Sequence, residues 1–152
     1  MLGDTVCGGF SQPIRVGYAE QIYVIMSGEP LALYQTNNIA AAVNNNVKPG
    51  GKVGLAGLIN NMRGFDGEKE VVEKFAEALG VPVIEHIPRS DLIQRAEFDG
   101  KTVIEAFPDS NQASIYKKLA EKILTQSDTY APRILGMKEI KEIMRLCMAK
   151  TA

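Results

Sequence analysis

The chain has 152 residues, with hydrophobic and charged fractions of 45% and 23% that fit an ordinary globular protein, and we expect one domain over residues 1–152. Its formal net charge of −1 argues against a general cationic surface for nucleic acid or for a membrane. No apolar run approaches the roughly 20 residues that span a bilayer, and no signal-peptide pattern is present, so we expect a cytoplasmic protein.

The first predicted element is a strand over residues 21–26, whose nearly continuous apolar run is typical of a strand buried on both faces. Ser27 is a candidate N-cap for the next helix, and Pro30 suits the first turn of that helix. The helix is expected to end near residue 46. Its apolar side chains are Leu31, Leu33, Tyr34 and Ile39, of which Tyr34 is expected in the core.

A second buried strand is predicted over residues 53–59, where glycines indicate close backbone packing. A loop over 60–67 then leads to a helix over 68–79, which Gly80 is placed to end. One face of this helix carries apolar residues at helical spacing: Val71, Val72, Phe75, Ala76 and Leu79. A third strand is predicted over residues 81–87.

The remaining segments are expected to be mainly helical. A short helix is predicted over 92–98, whereas residues 102–106 do not favour one conformation. Residues 111–126 form a convincing amphipathic pattern, with Ile115, Leu119, Ile123 and Leu124 on one side. A C-terminal helix over 137–149 is also amphipathic, and it is a candidate tail for docking on a partner.

Alternation of strands and helices predicts an α/β fold with parallel strands joined by crossover helices. In such sheets ligands bind at the carboxyl ends of the strands. Three segments leave those ends, at residues 27–29, 60–63 and 88–91. We therefore expect any small-molecule site where these three segments meet.

Glycines surround the first of the two cysteines, Cys7, in the segment L-G-D-T-V-C-G-G-F. Backbone N–H groups that approach a sulfur through such glycines favour the thiolate, which is the form that ligates an iron–sulfur cluster. A buried free cysteine at a tight turn explains the same triplet and stays open as an alternative.

Several short motifs, in the same order along the chain, resemble the nitrogenase iron protein family, which includes the ATP-dependent iron–sulfur subunits of protochlorophyllide reductase and similar tetrapyrrole reductases. The resemblance runs from residue 2 to about residue 124. The motifs are L-G-D-T-V-C-G-G-F at 2–10, P-I-R at 13–15, I-Y-V-I-M-S-G-E at 22–29, L-I-N-N-M-R at 58–63, I-P-R at 87–89, Q-R-A-E at 94–97 and T-V-I-E at 102–105.

This resemblance implies an incomplete P-loop-type α/β fold with a deviant Walker A motif, three or more strands and the C-terminal half of the family's domain. It implies a homodimer that shares one [4Fe–4S] cluster, binds MgATP and passes single electrons to a dinitrogenase-like catalytic partner. Cys7 matches a cluster ligand, Asp4 a residue that couples nucleotide state to the cluster, and Arg15 a stretch near the partner-docking surface. The residues that match the nucleotide site are Asn61, Arg89 and Gln94 around the adenosine, with Arg63 and Glu97 in the same motifs.

The sequence also departs from the family pattern. It contains no phosphate loop of the form G-K-G-G-x-G-K-[ST], and the family's first cluster cysteine has no counterpart. Cys147, in the C-terminal amphipathic helix, is expected to serve packing instead. We therefore expect the isolated chain to be inactive, to bind ATP weakly and to self-associate through an exposed strand edge.

Each candidate residue also has an ordinary structural interpretation. Asp4 suits the cap of a turn, and Arg89 suits a surface ion pair. Asn61 and Arg63 suit a loop, and Gln94 and Glu97 the solvated face of a helix. His86, the one histidine, is expected to pack.

Three functions remain in competition with that of the nitrogenase component. The first is the iron–sulfur ATP-binding subunit of a tetrapyrrole reductase. The second is a truncated, non-catalytic module that only binds partners. The third is a related ATPase without a cluster, of the kind that positions septa or partitions DNA, against which the triplet at Cys7 argues.

Overall fold

The computed structural model describes residues 20–46 and 53–148 of the chain. Asp4, Cys7 and Arg15 lie outside the described residues, so their expected roles stay predictions. The described elements, in chain order, are β1 (Gln21–Met26), α1 (Pro30–Asn46), β2 (Gly54–Asn61), α2 (Glu68–Leu79), β3 (Val83–Ile87), α3 (Asp91–Phe98), α4 (Val103–Ala106), α5 (Asn111–Thr125) and α6 (Met137–Met148).

The three strands form one parallel sheet in the order β1-β2-β3, which confirms the predicted α/β class. The central strand β2 is buried at every residue except Asn61. The registers align Met26 with Asn60, and Asn61 with Ile87, so that all three strands end at one edge. This carboxyl edge is where the three predicted site segments leave the sheet.

The main core lies between the sheet and the helices α1 and α2. Phe75, Leu33 and Leu55 are fully buried there. The predicted apolar face of α2 is buried throughout, and Gly80 ends the helix in a left-handed conformation with φ 75°. In β2, a side chain at Gly57 would collide with Ile84 of β3, which confirms the close packing that its glycines predicted.

A second apolar cluster packs α5 against the other face of the sheet. Ile115, Leu119 and Ile123 contact the cluster formed by Ile59, Ile84 and Ile87. Leu124, predicted to lie on the same side, is 84% exposed instead. It follows Ile123 directly, and one residue turns a helix by about 100°, which carries its side chain away from that stripe.

The same geometry explains the error at Tyr34. Leu33 is fully buried, so the next residue on α1 turns outward, and Tyr34 is 38% exposed rather than in the core. Ser27 does not cap the helix either. Its hydroxyl donates to Glu29 Oε2 at 3.0 Å, and α1 begins only at Pro30.

Several boundaries differ by one or two residues from those predicted, since β3 begins at Val83, α3 begins at Asp91 and α5 ends at Thr125. β2 continues through Asn60 and Asn61, because parallel pairing with His86 and Ile87 extends the strand into the expected loop. Residues 102–106 resolve into α4, which a capping box between Thr102 and Glu105 stabilises.

The C-terminal helix α6 contacts α2 and α1 of its own chain. Ile140 is buried, and Ile143 and Met144 pack against the main core, so this face of α6 covers its own chain, and docking of the helix on a partner stays a prediction. Cys147 lies in α6, but its side chain is outside the described part. No helix among residues 20–46 and 53–148 is long and apolar enough to cross a membrane.

Candidate functional site

The carboxyl edge of the sheet brings the ends of three strands together. β1 ends at Met26, β2 at Asn61 and β3 at Ile87. The backbone N–H of Met62 donates to the carbonyl of Ile87 at 2.9 Å, so the segment that leaves β2 stays beside the end of β3. The topology thus places the three predicted site segments along one edge, where parallel sheets bind ligands.

A buried carboxylate, Glu68, links two of these segments. Its Oε1 accepts from the backbone N–H groups of Gly28 at 3.1 Å and Arg63 at 3.0 Å. Its Oε2 accepts from the N–H groups of Arg63 at 2.9 Å and Gly64 at 2.8 Å. Glu68 is only 1% exposed, and these charge-assisted hydrogen bonds offset the cost of burying a carboxylate.

Sequence reasoning treated Glu68 only as the first residue of α2 and missed this role. A signal was present, since Glu68, Val71, Val72 and Phe75 share one helical face at spacings of three and four. An acidic residue on a core-facing stripe must find partners, because charged side chains are rarely buried unless they are paired.

Glycines make room for this carboxylate. A Cβ at Gly28 would lie 2.7 Å from Cγ of Glu68 and 3.0 Å from the ring of Phe65. Gly64 adopts a φ of 90°, a conformation that other residues rarely enter. The backbone therefore reaches the carboxylate from both strand ends because Gly28 leaves space for it and Gly64 can adopt a positive φ.

Arg63 makes the second link between the ends of β1 and β2. Its Nε donates to Glu29 Oε2 at 3.1 Å, and the Arg63 side chain remains 61% exposed. Within the described residues, its Nη atoms have no hydrogen-bond acceptor. The guanidinium is thus oriented at the edge, with donors still directed to solvent.

The other predicted nucleotide residues are exposed. Asn61 ends β2, Arg89 follows β3, and Gln94 and Glu97 lie on α3. Among the described residues, none of these four side chains makes a hydrogen bond or an ion pair. The fold brings Asn61, Arg63 and Arg89 to one edge, and it does not bring the five predicted residues into mutual contact.

α3 is anchored so that its polar face points outward. Ser90 caps the helix by accepting from the N–H of Leu92 at 3.3 Å, and Ala96 is buried beneath it. The guanidinium of Arg95 lies 5.7 Å from the ring centroid of Phe107. Gln94 and Glu97 therefore lie on the solvent side of a fixed helix.

His86, expected to pack, is half-buried and makes polar contacts through both ring nitrogens. Its Nδ1 lies 2.9 Å from Nδ2 of the fully buried Asn60, and its Nε2 lies 2.7 Å from Oε1 of Glu73. When Nδ1 accepts from the amide of Asn60, Nε2 carries the proton toward Glu73. No group of three His, Cys, Asp or Glu side chains that could hold a metal ion occurs in the described part of the chain.

The cavity found at the opposite, amino-terminal end of β1 has a volume of about 590 Å³. Its lining residues are Glu20, Gln21, Gln126, Ser127 and Thr129. It is open to solvent and contains none of the predicted site residues. Because ligands of parallel sheets bind at the carboxyl ends of strands, it is the weaker candidate.

Comparison with known proteins identifies close sequence relatives. Residues 1–149 match the family described as 4Fe-4S iron sulfur cluster binding proteins, NifH/frxC family. The chain is 44% identical over 144 residues to nitrogenase iron protein 1 of Methanothermobacter thermautotrophicus, a match that covers 95% of the chain and 52% of that protein. It is 43% identical to nitrogenase iron protein 2 of Rhodobacter capsulatus, with the same coverage. The chain therefore spans about half the length of these relatives.

The fold is also similar to a solved structure. The cell division ATPase MinD of Pyrococcus furiosus superposes with a TM-score of 0.57 at 24% sequence identity. The superposition covers 69% of this chain and 42% of that one. At this identity the likeness concerns the fold alone, and it confirms the predicted α/β architecture.

Proposed function

We propose that this chain, which belongs to the NifH/frxC family of 4Fe-4S iron–sulfur cluster-binding proteins, forms the adenosine-binding part of an ATP-dependent, electron-donating iron protein. The observation that carries this proposal is that Asn61 ends β2, while Arg63 and Arg89 lie two residues beyond the paired ends of β2 and β3. Two relatives with about the same identity to this chain are named nitrogenase iron proteins.

The exposed side chains at this edge have the chemistry that a nucleoside needs. An Asn or Gln amide donates and accepts at once, which suits the ring nitrogens and the exocyclic amine of adenine. Asn61 and Gln94 supply such amides. The guanidinium groups of Arg63 and Arg89 supply donors for ribose or phosphate oxygens. MgATP bound at such a site would supply the free energy of hydrolysis that drives electron donation.

The phosphate part of the nucleotide needs other groups. Residues 1–152 contain no G-K-G-G-x-G-K-[ST] loop, so these residues supply no glycine-rich cradle of that form for the phosphates. We propose that the carboxyl edge holds adenosine and that its affinity in this chain is low. A Kd of about 1 mM, equivalent to about 4 kcal/mol, fits a few exposed hydrogen bonds without a phosphate site.

No group of side chains that could hold a metal ion is found among the described residues, and Cys7 lies outside them. Cys7 is proposed as a cluster ligand from its place in the family motif, and Asp4 as the residue that couples it to the nucleotide. A Cys₄ cluster needs four thiolates, whereas two copies of Cys7 supply two. A homodimer, docking on a dinitrogenase-like partner near Arg15, belongs to the same proposal.

The adenosine site is tested by affinity and by base preference. Saturation-transfer NMR titrations with ATP and with GTP are expected to show weak binding that favours ATP. Asn61→Ala and Arg89→Ala should weaken ATP binding by about tenfold, the loss expected for a hydrogen bond to a ligand. Asn45→Ala and Arg145→Ala, which alter exposed residues on α1 and α6, should leave the affinity unchanged. Equal weakening by the control variants, or no binding by the wild type, would contradict the proposal.

A further inference from the structure

A single buried carboxylate is hydrogen-bonded to the segments that follow two strands at the carboxyl edge. The side chain of Glu68 is 1% exposed and accepts hydrogen bonds from the amides of Gly28, Arg63 and Gly64. Gly28 follows β1, whereas Arg63 and Gly64 follow β2. Neither the nucleotide residues of the proposed site nor the family motifs include Glu68.

These contacts differ from those of an ordinary helix cap. Glu68 is the first residue of α2, and Gly67, the N-cap residue, makes no side-chain capping bond. The Glu68 carboxylate turns away from the helix, and one of its partners, Gly28, lies 40 positions earlier in the chain. A side chain used in this way fixes tertiary geometry rather than the first turn of its helix.

The link reaches the candidate site through Arg63. The Arg63 backbone N–H is held by both carboxylate oxygens of Glu68, at 3.0 and 2.9 Å. Its side chain is held by Glu29, which belongs to the segment that carries Gly28. Asn61 lies two residues before Arg63. We therefore expect the orientation of the Asn61 side chain to depend on where the segment 62–64 is held.

We propose that Glu68 is a positioning residue for the adenosine-binding edge, and that it holds the segments 27–29 and 62–64 together as one unit. This inference rests on the proposed function, because it assumes that Asn61 and Arg63 contact a nucleotide. Through this tether, a displacement of the residues after β1 moves the polar groups after β2. Glu68 itself does not touch the ligand.

The variant Glu68→Gln keeps the shape of the side chain and removes one acceptor. In the carboxamide an NH₂ group faces a backbone N–H where an oxygen had accepted, so either Gly28 or Gly64 loses its acceptor. Glu77→Gln is the matched control, since Glu77 is exposed on the same helix. Gly28→Ala is the second variant, because its Cβ would meet Glu68 Cγ at 2.7 Å and displace the carboxylate without removing it.

Amide hydrogen exchange and nucleotide titration are measured on the full chain with these variants. Gly28→Ala is expected to speed exchange in segments 27–29 and 62–64 by about tenfold, the effect of losing a hydrogen bond to a charged acceptor, and Glu68→Gln is expected to do so in the segment whose glycine loses its acceptor. Exchange in β3 and α5 should stay unchanged. The preference for ATP over GTP should fall toward unity, which a general loss of stability would not produce. Glu77→Gln should behave as the wild type does.

The outcomes separate this inference from the proposed function. Wild-type exchange and an unchanged base preference in Glu68→Gln would overturn the positioning role, even if the wild type binds ATP. If the wild type binds no nucleotide, the proposed function fails and the positioning role fails with it. Faster exchange at the two segments would then still show that Glu68 tethers them.

Discussion

The side chains of Arg63 and Glu29 join the ends of two neighbouring strands. Arg63 Nε donates to Glu29 Oε2 at 3.1 Å, and the same oxygen accepts from the hydroxyl of Ser27 at 3.0 Å. The two charged side chains are 61% and 49% exposed, so solvent screens their attraction. The pair therefore orients the guanidinium at the carboxyl edge and adds little to the stability of the fold.

Replacing Glu29 with Gln is expected to change the free energy of unfolding by less than about 1 kcal/mol, the usual range for an exposed ion pair. The NMR signal of the Arg63 Nε–H should nevertheless move, because its charged acceptor is lost. Urea denaturation and side-chain NMR measure the two effects. Glu142→Gln, an exposed carboxylate on α6, is the control. A loss of several kcal/mol would show that the pair is a structural element of the fold.

The main core depends on Phe75, which is fully buried between α2 and the sheet. Phe75→Ala should lower the free energy of unfolding by about 3–5 kcal/mol, through lost apolar burial and the cavity it leaves. Phe98→Ala is the control, because Phe98 is 91% exposed at the end of α3. It should change stability by less than about 0.5 kcal/mol. Similar losses in both variants would contradict this description of the core.

The pair formed by Glu85 and Lys122 predicts a pH dependence. Burial raises the pKa of Glu85, but the hydrogen bond from Lys122, the N–H of His86 and the nearby positive charge together hold the pKa below the ordinary value of 4.5. A group whose pKa is lower in the folded state stabilises the protein above its unfolded pKa. This contribution is lost as the pH falls through the folded pKa.

Urea denaturation of the wild type and Glu85→Gln tests this sign. The wild type should be the more stable protein at neutral pH, and its advantage should shrink as the pH falls below 4.5, the ordinary pKa of a glutamate. Glu121→Gln, exposed on α5, should match the wild type at neutral pH. A wild-type advantage that grows as the pH falls would show that the assigned direction is wrong.

β1 lies at the edge of the described sheet, and Ile25 on this strand is 61% exposed. Unpaired strand edges with apolar side chains promote association. We expect the isolated chain to self-associate in analytical ultracentrifugation, and Ile25→Lys to shift it toward monomer. Leu124→Lys, at an apolar residue 84% exposed on α5, should leave the association state unchanged. Equal effects of the two variants would show that association does not use the β1 edge.

Much of the fold could be predicted from local sequence signals. The helix over 68–79 was predicted to the residue, because apolar spacing and Gly80 both mark its limits. The strand over 21–26 was predicted equally well from its apolar run. Tyr34 and Leu124 were placed wrongly, since apolar character alone does not decide which side of a helix meets the core.

The candidate site could be predicted only in outline. Parallel topology is enough to place Asn61, Arg63 and Arg89 at one edge. The place of Glu68 on the apolar face of α2 signalled its burial, but its partners could not be predicted, because one of them lies 40 positions away and all are backbone N–H groups without a sequence signature. The extension of β2 through Asn60 and Asn61 was missed for a related reason, since pairing with β3 overrides the loop tendency of asparagine.

The location of bound nucleotide tests the central claim most directly. In ¹H–¹⁵N spectra titrated with MgADP, we expect amide signals to move in residues 61–64 and 89–97, at the carboxyl ends of β2 and β3. The amide signals of Gln21 and Gln126, which line the cavity at the other end of β1, should not move. Shifts confined to that cavity, or shifts that Asn61→Ala leaves unchanged, would contradict an adenosine site at the carboxyl edge.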